Sequence, residues 1–156
     1  MEVKDFNQLF IDANKSLCSV ESFTGGLFAS SITKVSGASK FFKGALVTYA
    51  TEEKENLLKI SKEDIEKHGV VSGEIASQMA YRGMQLLNTD YCVSFTGNAG
   101  PEAMEEKPVG EVYIGLATGI RVEVYGLKLK GTREEIQKQA VDFAIKQLSI
   151  MLKNNK

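Results

Sequence analysis

The sequence predicts an α/β fold: a single-domain layered sandwich in which a mixed sheet is flanked by helices. Three observations lead there. Short apolar runs alternate with helix-patterned segments as far as Gly97, the order expected of parallel strands joined by crossover helices. Two β-branched runs late in the chain, "GEVYIGLATG" and "RVEVYGLKLKG", meet at the turn "TGIR" and read as an antiparallel hairpin. The 156 residues are 43% hydrophobic and 25% charged, which suits one domain with a packed core spanning residues 1–156.

The elements follow in order. Residues 3–15 carry Val3, Phe6, Leu9, Phe10 and Ala13 at helical spacing, and "LCSV" reads as a buried strand. "GGLFASSITKV" predicts a helix from Gly25. After the turn "SGAS" comes a second strand, "ALVTYA". "TEEKENLLKI" reads as a helix with Thr51 at the N-cap and acids in the first turn, where the positive end of the helix dipole favours them. "SKEDIEKHG" repeats this logic, with Ser61 as cap and Gly69 as stop. "VSGEIASQMAYRGMQLLN" predicts a longer helix, capped by Ser72 and burying Ile75, Met79, Met84 and Leu87. "DYCVSFTG" is the third strand. "NAGPEAMEEKP" is a loop, punctuated by Gly100, Pro101 and Pro108. Beyond the hairpin, Thr132 caps a last helix whose Ile136, Ala140, Phe143, Ala144, Leu148 and Met151 share one face.

Charge and composition narrow the function classes. With 19 basic and 20 acidic residues the formal net charge is -1, so no broad positive footprint for nucleic acid is expected. No apolar run has the length of a membrane span, and "MEVKDFNQLF" lacks the apolar region of a signal peptide; a cytoplasmic location is expected. Cys18 and Cys92 sit inside apolar strand-like runs without metal-ligand spacing and read as reduced core residues.

The chemistry concentrates at strand ends. "ESFTGG", Glu21 to Gly26, and "SFTGNAGP", Ser94 to Pro101, both place hydroxyls and glycines after an apolar run. A strand that stops in a glycine turn and opens a helix exposes amides suited to a phosphate or a developing oxyanion. In open α/β sheets, ligands bind outside the carboxyl ends of strands, so the two turns are expected to share one site. Ser22 and Thr24 add hydroxyls there. Thr96, Asn98 and the amides from Gly97 to Gly100 could bind an anion or a ribose hydroxyl. Thr24 could equally do no more than cap a helix, and "TGNAGP" be a plain turn. A serine nucleophile needs a base. The sole histidine, His68, lies at a charged helix end and reads as solvated, whereas Lys54, one helical turn past Tyr49, can serve if burial lowers its pKa. A solvated lysine in an ion pair is the plainer alternative. Arg133, opening the last helix, either clamps a phosphate or pairs with Glu134 or Glu135.

Four segments, "ESFTGG", "VTYATEEK", "HGVVS" and "TGNAGPEAMEEKPVGEVYIG", occur in an order that resembles the C-terminal domain of the competence/damage-inducible protein CinA, the nicotinamide-nucleotide amidase family. The resemblance runs from Ser19 to the last helix, and no counterpart of the family's N-terminal pyrophosphatase-type domain is expected. It implies a homo-oligomer that hydrolyses the carboxamide of nicotinamide mononucleotide to nicotinic acid mononucleotide and ammonia, with no cofactor and no metal. By position it implies Ser22 as nucleophile, with Tyr49 and Lys54 handling the proton. It also implies that Thr24, Gly25 and Gly26 line one wall, that Thr96, Gly97, Asn98 and Gly100 line the other, and that Arg133 faces the phosphate.

The chain departs from the family pattern. Phe23 stands where the motif has cysteine, Asn98 where it has isoleucine, Thr51 where it has asparagine, and Gln137 where a second arginine is common. The "PEAMEEKP" loop lacks the family's glycine pair. Glu102, Ala103 and Met104 adopt positive φ less readily than glycine, and added acids would repel a phosphate. These departures keep two alternatives open: an amidase for another small amide, and a silent nucleotide- or partner-binding module on the same fold.

Overall fold

The computed structural model describes residues 1–155. Strands β1 (Leu17–Glu21), β2 (Phe42–Val47), β3 (Tyr91–Gly97), β4 (Glu111–Ala117) and β5 (Val122–Lys128) form one sheet in the order β2-β1-β3-β4-β5. β1 is parallel to both β2 and β3, while β3, β4 and β5 run antiparallel. The sheet is therefore mixed, and the late hairpin supplies its antiparallel part. Helices α1 (Val3–Ala13), α2 (Leu27–Thr33) and α6 (Arg133–Asn154) pack on one face; α3 (Thr51–Asn56), α4 (Lys62–His68) and α5 (Gly73–Leu87) lie on the other side.

Strand alternation explains why both faces are covered. Leu17, Tyr91, Val93, Phe95, Val112, Ile114 and Leu116 join the core under α1, α2 and α6. Cys18, Val20, Cys92 and Ala117 face the other way, with Ile75, Met79 and Met84 of α5. Both cysteines are free and buried. Two glycines set the height of α5. A Cβ on Gly83 would stand 2.3 Å from Val20 Cγ2, and one on Gly115 would stand 2.6 Å from the Ala76 carbonyl oxygen. Aromatic rings fill the opposite layer: Phe10 stacks on Phe41 at 5.3 Å between centroids, and Phe28 meets Phe95 at 5.5 Å.

Helix starts follow local hydrogen bonding. Ser61 accepts from the Asp64 amide, Ser72 from the Ile75 amide, and Thr132 forms a reciprocal capping box with Glu135. Three boundaries differ from the sequence expectation. β2 begins at Phe42, three residues before "ALVTYA", because its ladder starts beside Leu17 and closes with the Thr48 amide on the Glu21 carbonyl. Tyr49 therefore lies beyond the strand, in the link to α3. Thr51 is the first helical residue, after an N-cap at Ala50 that offers no side-chain acceptor. α2 starts at Leu27, since Gly25 and Gly26 have φ of 60° and 102°, outside the right-handed helical region. Among the described residues no helix is long and apolar enough to cross a membrane.

Candidate active site

β1 and β3 are adjacent and parallel, so their carboxyl ends emerge at the same edge. The Ser22 amide donates to the Phe95 carbonyl at 2.9 Å, tying the two turns together. A cavity of about 380 Å³ opens there, within the usual range for small-molecule sites. Ser22 and Phe23 line it from the first turn, Thr96, Gly97, Asn98 and Gly100 from the second, and Tyr49, Lys54 and Arg133 line it too.

Lys54 lies at the centre. It is 1% exposed, and Nζ donates to Ser22 Oγ at 3.0 Å and to the Thr48 carbonyl at 2.7 Å. Burial lowers its pKa from 10.5 to about 8, against the opposing pull of the Glu105 carboxylate. An amine brought this close to neutrality, aimed at a serine hydroxyl, can accept that hydroxyl's proton. The solvated ion pair that its charged surroundings in the sequence also allowed does not form.

Tyr49 is 63% exposed, and its hydroxyl accepts from Arg133 Nη2 at 3.0 Å. It lines the cavity, but no hydrogen bond joins it to Ser22 or Lys54 among the described residues. Arg133 Nη1 donates to the Gly100 carbonyl at 2.7 Å. No carboxylate lies within ion-pair distance of Arg133 among the described residues, so its charge at the cavity rim is uncompensated.

The rest of the first turn behaves differently from the expectation. Thr24, Gly25 and Gly26 do not line the cavity. The reason is Glu21, which the motif reading passed over. It is 0% exposed and accepts from Ser19 Oγ, Thr24 Oγ1 and the amides of Phe28 and Ala29, at 2.9 to 3.1 Å. The start of α2 is thus filled by the chain's own carboxylate and is closed to a ligand anion. The Thr24 hydroxyl is spent on that carboxylate, and the Gly25 amide on the Ser22 carbonyl. One sequence signal could have found Glu21: a lone acid ending an otherwise apolar, buried strand must find several donors.

On the second turn, Thr96 Oγ1 donates to the Val70 carbonyl. Asn98 is 1% exposed; its Nδ2 donates to the Lys107 carbonyl at 3.1 Å and its Oδ1 accepts from the Gly100 amide at 3.3 Å. Both side chains hold the wall they line. Phe23 is 4% exposed, belongs to the core under α1, α2 and α6, and also lines the cavity. Gln137 Nε2 donates to the Phe23 carbonyl at 2.7 Å. The positive-φ positions of the following loop are Glu105 and Glu106, at 54° and 60°, rather than Glu102 to Met104.

Residues 2–152 match the CinA C-terminal domain. The chain belongs to the CinA C-terminal domain family. A CinA-like protein from Petrotoga mobilis is 42% identical over 92% of this chain and 36% of its own length. The chain thus spans about a third of that relative. Among solved structures, a CinA superfamily protein from Klebsiella pneumoniae superposes with a TM-score of 0.94 at 26% identity, covering 99% of each chain. The competence/damage inducible protein CihA from Agrobacterium tumefaciens gives a TM-score of 0.89 at 28% identity, over 98% of this chain and 96% of its own. The five-stranded mixed sheet with helices on both sides is therefore a CinA superfamily fold.

Proposed function

We propose that this CinA-type domain hydrolyses a small carboxamide through an acyl-enzyme, and that the substrate is nicotinamide mononucleotide. The 3.0 Å contact between Lys54 Nζ and Ser22 Oγ, with the lysine pKa lowered to about 8, carries the reading. Lys54 as free amine takes the Ser22 proton while Oγ attacks the carboxamide carbon. The resulting ammonium gives that proton to the amide nitrogen as the C–N bond breaks, and the nitrogen leaves as ammonia. Water then enters, Lys54 removes its proton, and the acyl ester is cleaved to carboxylate and free serine. The amide of Phe23, which lines the cavity directly after the serine, has no protein acceptor among the described residues and is a donor left for the oxyanion.

Arg133 supports a phosphorylated substrate. Its two protein acceptors, a carbonyl and a phenol, are neutral, so a phosphate would gain a charge-assisted pair that neither supplies. Tyr49 then holds the guanidinium at the rim instead of relaying the serine proton. The test is ammonia release from nicotinamide mononucleotide by the purified protein, beside Ser22→Ala and Lys54→Ala. Turnover lost in both variants is expected. A folded wild-type chain that releases no ammonia from the nucleotide, yet does so from another carboxamide, would move the substrate; no release from any would leave a binding module.

A further inference from the structure

The Glu105 carboxylate is chelated by backbone. Oε2 accepts from the Val70 amide at 2.9 Å and Oε1 from the Val71 amide at 3.0 Å. The adjoining Gly69 leaves room for it, since a Cβ there would stand 2.7 Å from Oε1. Lys107 Nζ donates to the Val71 carbonyl, so the loop grips the 70–71 segment through both its amides and its carbonyl. Reaching this position puts Glu105 and Glu106 at positive φ, which non-glycine residues adopt only against a local penalty. Val70, Glu102 and Met104 all line the cavity that holds Lys54 and Ser22.

We propose that Glu105 is a positioning residue of the amidase site: its carboxylate fastens the 98–110 loop to the 70–71 segment and keeps a fixed negative charge in reach of Lys54. The proposal deepens the amidase reading and rests on it. Other ionisable groups around the cavity are Tyr49 from the link before α3, Glu102 from the same loop and Arg133 from α6. On α3 itself Glu52 and Glu55 are exposed, and Glu53 accepts from Asn56. Glu105 is the group whose charge opposes the effect of burial on Lys54, favouring the ammonium. Its two roles separate experimentally. Loosening the wall weakens substrate binding, whereas removing the charge makes Lys54 easier to deprotonate.

The experiment compares wild type with Glu105→Gln and Glu105→Asp. In Glu105→Gln the acid limb of the pH–rate profile for nicotinamide mononucleotide should move to lower pH and KM should rise, with kcat at neutral pH raised because more of Lys54 is then free amine. Glu105→Asp should restore the limb. Two readouts do not depend on turnover: the titration of Lys54 by side-chain NMR, and hydrogen exchange at Val70 and Val71, which should quicken on the order of tenfold in Glu105→Gln as charge-assisted bonds are lost. If wild type hydrolyses nothing while these two readouts move as described, the amidase reading falls and the positioning role stands. An unshifted Lys54 titration with unchanged exchange overturns the proposal. So does failure of Glu105→Gln to fold, because an exposed side chain that holds only the pocket wall is not needed by the core.

Discussion

Replacing Lys54 with methionine should abolish turnover and yet stabilise the fold at neutral pH. The fold lowers the lysine pKa from 10.5 to about 8 through burial. At 1.36 kcal/mol per unit, the ammonium form costs about 3 kcal/mol relative to the unfolded chain. Methionine fills similar space without a charge but leaves the Thr48 carbonyl without its donor, a loss of about 1 kcal/mol. The variant is therefore expected to be more stable by about 2 kcal/mol at pH 7. The sign follows from proton counting. Between the folded pKa near 8 and the unfolded value of 10.5, the unfolded chain holds a proton that the fold has released. Wild-type stability therefore gains from this group as pH rises through that window, and Lys54→Met does not share the gain. Above the window wild type should lead by about 1 kcal/mol. Urea unfolding of both proteins from pH 7 to pH 11 measures this, and taking their difference cancels the tyrosines and cysteines that titrate in the same range. Parallel stability curves for the two proteins would refute a depressed Lys54 and remove the base from the mechanism.

Three further outcomes follow from the geometry. Ser22→Ala should end ammonia release while leaving urea stability within about 0.5 kcal/mol, since the residue is only partly buried; a variant that keeps turnover excludes the serine as nucleophile. Glu21→Ala strands a buried amide, a part-buried amide and two hydroxyls and should cost about 3 kcal/mol or more, seen as a lower urea midpoint; a loss under 1 kcal/mol would mean that Glu21 does not hold the start of α2. Gly83→Ala drives a methyl into Val20 and Cys92 and should cost about 1–3 kcal/mol, read as a fall in Tm; an unchanged Tm would show that α5 rides higher on the sheet.

The fold was legible where two local signals agreed. The apolar run in "DYCVSFTG" and the β-branched hairpin runs gave strands that start within a residue of their observed starts, the hairpin runs extending two and three residues past the ends of β4 and β5, and Ser61, Ser72 and Thr132 cap as their side-chain chemistry dictates. Misplacement occurred where tertiary pairing decided instead. β2 is drawn toward Phe42 by its ladder with β1, which carries Tyr49 off the strand and onto Arg133. The Ser22–Lys54 pair could be nominated from spacing and resemblance, but its 3.0 Å contact and the burial that depresses Lys54 depend on α3 bringing Lys54 back to the turn after β1. Glu21 and Glu105 escaped because the backbone amides that hold them are not local: they lie seven and eight residues from Glu21, and thirty-four and thirty-five from Glu105.

Those two carboxylates bear on how the site can keep an amine of lowered pKa beside the serine turn. An open helix N-terminus next to Ser22 would attract any anion and would add positive potential against the Lys54 ammonium. Glu21 occupies it, so the serine turn is held by internal bonds and the helix end is no longer available to a phosphate. Lys54 is then governed by burial, which favours the amine, and by Glu105, which favours the ammonium. The balance near 8 leaves both forms within reach, as a mechanism that first removes and then returns a proton requires. In the proposed reaction anion recognition would fall to Arg133, on a different element, whose unpaired charge sits at the rim of the cavity. A phosphate drawn to Arg133 would leave the carboxamide end of the substrate to reach Ser22. Moving the cation inward, next to Lys54, would depress the lysine further and deprive the leaving group of its acid.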